Sequence, residues 1–143
     1  GGERYRRTVT DAAPSTDSDP LPAIDFLLAE VRSQSGHRPT PADLPAIVAA
    51  GGLVVDTRPV ELREADGAMT GAVVVDRNKL EWRLDPTSPH RLPEVTGHDQ
   101  TIVVVCDEGY ASSLAADTLR RLGLVNATDL DGGYQAWRRW SAG

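Results

Sequence analysis

The sequence of 143 residues contains one cysteine, one methionine, one phenylalanine and one lysine. With Cys106 alone no internal disulfide can form, so the fold cannot be a disulfide scaffold. A lone thiol also excludes a thiolate-rich zinc site and fits a reducing compartment, so a cytoplasmic location is expected. His37, His90 and His98 are scattered without metal-ligand spacing and are expected on the surface. Lysine is nearly absent, and 15 basic residues face 21 acidic ones, for a net charge of −6. The clustered basic excess of a nucleic-acid-binding domain is therefore missing. No apolar run reaches the roughly 18 residues of a membrane span. No apolar h-region is read near the N-terminus, so no signal peptide is expected. What is present is 40% hydrophobic residues, enough for one buried core and too many for a wholly disordered chain.

Residues 1–22 have no periodicity and are rich in Asp, Ser, Thr and Pro, so they read as a disordered tail ahead of a single domain over 23–143. Arg4, Arg6 and Arg7 in that tail read as solvated rather than as a site for an acidic partner. Ile24, Leu27, Leu28 and Val31 predict a helix over 23–34, ended by Gly36. Thr40-Pro41-Ala42-Asp43 is a helix start, with a capping residue, a Pro at the first position and an acid at the third. Pro45 lies awkwardly inside the helix that follows, whose start is therefore placed near Asp43. Behind Gly51-Gly52 the period changes. Leu53–Thr57, Ala72–Asp76, Thr101–Val105 and Ala127–Leu130 read as strands. Helices are expected over 59–66, 78–84, 112–122 and 134–141, with Leu114, Ala115 and Leu119 facing inward in the third of these. Trp82, Trp137 and Trp140 read as core and rim packing. Apolar runs alternating with helices indicate parallel strands covered on both faces, hence a three-layer α/β domain. In such sheets the ligand crevice lies beyond the carboxyl ends of the strands. Those ends deliver Asp56 and Arg58, Asp76 and Arg77, and Cys106.

The informative segment is Cys106-Asp107-Glu108-Gly109-Tyr110-Ala111-Ser112. A strand ends in a thiol, five residues pass, and Ser112-Ser113 opens a helix. A loop curled over a helix N-terminus aims backbone N–H groups inward and adds the positive end of the helix dipole. Thiols in such nests ionise more readily than free cysteine, and the same nest suits a persulfide anion. Gly109 permits the tight turn. A phosphate-handling loop of this length would end in an Arg that clamps the phosphoryl oxygens. Ser112 occupies that position, so phosphatase or arsenate chemistry does not fit.

These residues resemble the single-domain rhodaneses, a family of sulfurtransferases. The resemblance is carried by Leu53-Val54-Val55-Asp56-Thr57-Arg58-Pro59, by the Cys106 loop and by Asp131-Gly132-Gly133-Tyr134-Gln135-Ala136-Trp137, in the family's order, over about residues 39–141. It implies five parallel strands in the order 1-5-4-2-3, flanked by helices, with a short first strand near Gly36–Pro39. It also implies that Cys106 takes up a sulfane sulfur as a persulfide and passes it on, without metal or organic cofactor. A six-residue loop, here Cys106 to Ala111, goes with sulfur transfer in the family, and a longer one with phosphate or arsenate. Two features depart from it. Gly67-Ala68-Met69-Thr70-Gly71-Ala72 lacks the family's usual His. Asp107 and Glu108 stand where the family commonly has Arg or Lys.

The site is therefore expected to comprise Cys106 as nucleophile, and Asp107, Glu108, Gly109, Tyr110, Ala111 and Ser112 as the anion-binding loop. Asp56, Arg58 and Arg77 are expected in support. Asp56 is read as fixing loop structure. Arg58 either reaches the crevice or pairs with a carboxylate such as Asp56 or Glu61, and Arg77 poses the same choice. Tyr110 either shapes access or is a partly exposed loop side chain. The expected partner is a small-molecule sulfur donor or a persulfide-carrying protein, not a nucleic acid or a membrane. The alternative is a non-catalytic module of the same family that binds a partner or senses oxidants through Cys106.

Overall fold

The structure, a computed structural model, describes residues 20–143. Most of the expected N-terminal tail, up to residue 19, lies outside the described residues. Four parallel strands form one sheet: β1 (Leu53–Asp56), β2 (Val73–Val74), β3 (Ile102–Val105) and β4 (Ala127–Asp129), in the order β2-β1-β3-β4. Every residue of β1 and β3 is buried, as strands covered on both faces require, and Asp56 at the end of β1 is the one charged residue among them. Asp56 pairs in register with Val105, so β1 and β3 end together beside Cys106.

The expected five-stranded order 1-5-4-2-3 is corrected here. The segment proposed as the first strand, Gly36–Pro39, is not a strand. Gly36 turns the chain at φ 66°, and Pro39 has no N–H to donate. Between backbones, one bond, from Asp131 N–H to Pro39 O at 2.9 Å, joins that segment to the chain just after β4. β2 is also shorter than the apolar run Ala72–Asp76 suggests. It lies at the sheet edge, where Val74 is 49% exposed.

The helices are α1 (Ala23–Ser33), α2 (Leu44–Ala49), α3 (Val60–Asp66), α4 (Leu80–Leu84), α5 (Ala111–Arg121) and α6 (Gly133–Ala142), with 3-10 turns at Pro41–Asp43 and Arg77–Lys79. Asp43 caps the first 3-10 turn by accepting from Thr40 N–H at 2.9 Å, which lets α2 begin at Leu44 with Pro45 in its first turn, where an N–H is not needed. Alternate strand residues feed two cores. Val55, Ile102 and Val104 pack with Leu80, Leu84, Leu119 and Leu124 on one face. Val54, Val103 and Val105 pack with Leu44, Leu130 and Tyr134 on the other. Arg120 and Arg121 end α5, and Gly123 follows at φ 95°.

Burial is narrower than the apolar pattern, and Leu114, expected to face inward, is corrected. On α1 only Leu28 and Val31 are buried, while Ile24 and Leu27 are 48% and 44% exposed. In α5 Leu114 is half-buried, whereas Ala115 and Leu119 are buried. Trp82 and Trp140 are exposed, and only Trp137 packs against a core. The three histidines are exposed. Among the described residues no helix is long and apolar enough to cross a membrane.

Candidate active site

β3 carries Cys106 to the carboxyl edge of the sheet, and α5 opens at Ala111, one residue before the expected Ser112. The chain between them is held open by close backbone packing. Tyr134 N–H donates to Cys106 O at 2.8 Å and Gln135 N–H to Asp107 O at 3.1 Å, so the first turn of α6 takes up the loop's carbonyls. Gly109 turns at φ 91°, and Gly133 sits so close that a Cβ there would lie 2.7 Å from Cys106 O, Asp107 O and Gly109 N. The Gly-Gly pair thus permits a contact that a side chain would prevent.

With carbonyls drawn outward, N–H groups turn to the sulfur. Cys106 Sγ accepts from Gly109 N–H at 3.2 Å and from Ser112 N–H at 3.3 Å. Its S–H donates to Ser112 Oγ at 3.2 Å, and that hydroxyl donates to Asp129 at 2.7 Å. Among the described residues the N–H groups of Glu108, Tyr110 and Ala111 find no protein acceptor. The half-buried thiol opens into a pocket of about 320 Å³ walled by Thr57, Arg58, Pro59, Leu62 and Arg77 opposite the loop.

Residues 40–139 match the rhodanese-like domain family. The chain belongs to that family. Among solved structures it is similar to a protein of unknown function from Rhodopseudomonas palustris, described as a possible tyrosine phosphatase, at 32% identity and TM-score 0.72, covering 91% of this chain and 97% of that one. It is similar to a rhodanese-related protein from Thermoplasma volcanium at 26% identity and TM-score 0.54, covering 73% of this chain and 92% of that one. A human single-domain sulfurtransferase shares the fold at 24% identity and TM-score 0.59, over 71% of this chain and 95% of that one. No curated protein matches.

Within this rhodanese-like domain the residues expected in support have the following surroundings. Arg58 does not reach into the pocket as a free cation. Its guanidinium pairs with buried Asp56 at 2.8 Å, donates to Gly67 O at 3.0 Å and lies 3.5 Å over the Tyr134 ring. Asp56 also accepts from Arg58 N–H at 3.0 Å, which fixes the turn after β1. Arg77 does line the pocket, but it is paired with Glu81 at 3.0 Å. Burial disfavours the charged Glu81 carboxyl, yet hydrogen bonds from Thr118 and its own backbone N–H, with the Arg77 charge, outweigh it and hold the group below its ordinary value. Asp107 is tied to Gln135 at 2.9 Å, whereas Glu108 and Tyr110 are exposed. Among the described residues neither Asp107 nor Glu108 forms an ion pair. Asp76 caps the next 3-10 turn through Asn78 N–H at 2.8 Å and takes no part in the site.

Sequence reasoning missed the far side of the loop. Arg38 pairs with Asp129 through Nε and Nη2, both at 3.0 Å, and Asp129 also accepts from Ser113 at 2.9 Å. The hydrogen bond to Asp129 raises Arg38 above the ordinary guanidinium value; burial opposes this, and Asp129, Asp131 and Cys106 add attraction. The available signal was a charged residue, Asp129, inside a strand buried at all three positions. Arg38 gave none, being 91 residues away in sequence.

Proposed function

We propose that this domain moves a sulfane sulfur from a donor to a thiophilic acceptor through a persulfide on Cys106. The observation that supports it most is the sulfur's place under two N–H groups, beside further loop amides that have no acceptor among the described residues and are open to a second sulfur or an oxyanion. The chemistry is a double displacement. The Cys106 thiolate attacks the outer sulfur of a donor R–S–SH. The new S–S bond forms as the donor's S–S bond breaks, and R–S⁻ leaves with the electron pair. The enzyme-bound persulfide then gives its outer sulfur to an acceptor thiolate, restoring the Cys106 thiolate. The loop amides face the anion in both halves and need no reorganisation between them. No metal or organic cofactor is required.

The donor is a small persulfide or a persulfide-carrying protein rather than a dianion. Arg58 and Arg77 are held by Asp56 and Glu81, while Asp107 and Glu108 stand at the loop with no ion-pair partner among the described residues. A phosphatase reading does not suit this chain, since Ser112 stands where the phosphate-clamping Arg would be and bonds to Asp129. The unpaired acidic rim favours one second reading, a module that binds a partner or senses oxidants without transferring sulfur. A single-turnover assay separates the two. Protein loaded with sulfur and mixed with acceptor thiol should yield one equivalent of new persulfide. A stable sulfur that no thiol or cyanide removes would favour the module.

A further inference from the structure

The loop around Cys106 carries two carboxylates and no cation, yet it must hold a sulfur anion. Two guanidiniums reach it from the opposite side. Arg32 Nη2, on α1, and Arg38 Nη2, in the connection to α2, both donate to Gly109 O, at 2.8 and 3.1 Å. That oxygen belongs to the peptide whose N–H is Tyr110's. In a trans peptide the C=O and N–H point in opposite directions, so the Tyr110 N–H is directed away from both guanidiniums. It is also one of the loop amides with no acceptor among the described residues. A carbonyl that accepts two charged donors makes its own peptide N–H a stronger donor. Arg32 Nε further donates to Ser113 Oγ at 2.9 Å, and Ser113 and Ser112 both donate to Asp129. The Arg32 guanidinium also lies 5.9 Å from the Tyr110 ring centre.

We infer that Arg32, with Arg38 as a second donor to the same carbonyl, is a positioning residue that brings to the loop, through the Gly109–Tyr110 peptide, the positive charge it lacks, and so favours the anionic form of the Cys106 sulfur. The inference rests on Cys106 being the reacting group of the function proposed above. Charges face the Cys106 loop from each neighbouring element. Asp107 and Glu108 of the loop oppose the anion. Asp129 of β4 and Asp131 just after it both pair with Arg38, Arg58 is matched by Asp56 of β1, and Arg77 by Glu81. Among the described residues Arg32 forms no ion pair, and its removal leaves none of their carboxylates without a partner.

The test is the rate of Cys106 alkylation by a neutral reagent against pH, at low salt, with a thermal melt of each variant. Arg32→Met should raise the midpoint of the profile by about 0.5 pH unit, a screened charge effect that shrinks as salt is added. Arg32→Lys, which keeps the charge, should recover most of the shift. Should the Met variant melt early, Arg32→Gln, uncharged but still a donor, carries the same expectation. A midpoint identical in wild type and every folded uncharged variant overturns the inference. So does a lysine variant shifted as far as methionine. Because alkylation needs no sulfur donor, a shifted midpoint in a protein that never takes up sulfur would keep the role of Arg32 and remove the sulfurtransferase reading.

Discussion

Replacing Glu108 with Lys should raise the rate constant for thiosulfate about tenfold. Thiosulfate is a dianion that must approach Cys106 through the pocket whose rim holds Asp107 and Glu108. At a separation of about 7 Å and an effective dielectric near 20, one pair of unit charges costs roughly 2 kcal/mol. Glu108 is exposed, so solvent and salt cut each interaction to about a few tenths of a kcal/mol. Glu108→Lys changes the local charge by two units facing a double charge, which makes four such interactions. Their screened sum is about 1.4 kcal/mol, a factor of about ten in rate. Asp107→Asn changes one unit and should give about half that free energy. The assay is initial rate at thiosulfate concentrations well below saturation, repeated at rising salt, with an uncharged persulfide donor as control. The gain should fall with salt and be absent for the uncharged donor. Efficient thiosulfate turnover by the wild type, or no change in Glu108→Lys, would refute the claim that loop charge selects the donor.

Cys106→Ser should abolish sulfur transfer without lowering the melting temperature, since the half-buried sulfur does not build either core. Gly133→Ala should slow transfer and destabilise the fold together, because its Cβ would meet two loop carbonyls and an N–H at 2.7 Å; transfer and melting unchanged would show that the contact is slack. Asp56→Ala strands the buried Arg58 cation and should cost about 3–5 kcal/mol in denaturant unfolding, whereas replacing both partners by apolar residues should cost less. The Asp43 carboxyl is held below its ordinary 3.8, first by the Thr40 N–H and then by His37. Its folded value is depressed, so its stabilisation is present above pH 3.8 and is lost as pH falls through the lower folded value. Asp43→Asn should therefore flatten the acid limb of stability against pH, leaving the limb above neutrality unchanged.

How much was legible follows from which interactions are local. β1 and β3 were readable because strands buried on both faces leave an unbroken apolar run, and the Cys106 loop because it lies between a strand and a helix in one stretch of chain. Arg58's partner could be narrowed but not chosen, because Asp56, Glu61 and the pocket all lie within reach of one turn. The missing first strand was an inference from resemblance, and Pro39 removes the donor that such a strand needs. The periodicity on α1 marked a helix correctly but not how little of its apolar face the domain covers. Arg32 and Arg38 reach Gly109 across 77 and 71 residues, and no local pattern reports such a contact.

The account stands most directly on the intact mass of the protein after exposure to a panel of persulfide donors. It predicts that wild type gains the mass of one sulfur atom, that an acceptor thiol removes it, and that Cys106→Ser gains nothing. A wild-type mass unchanged by every donor, or a gain that survives in Cys106→Ser, would contradict a persulfide on Cys106.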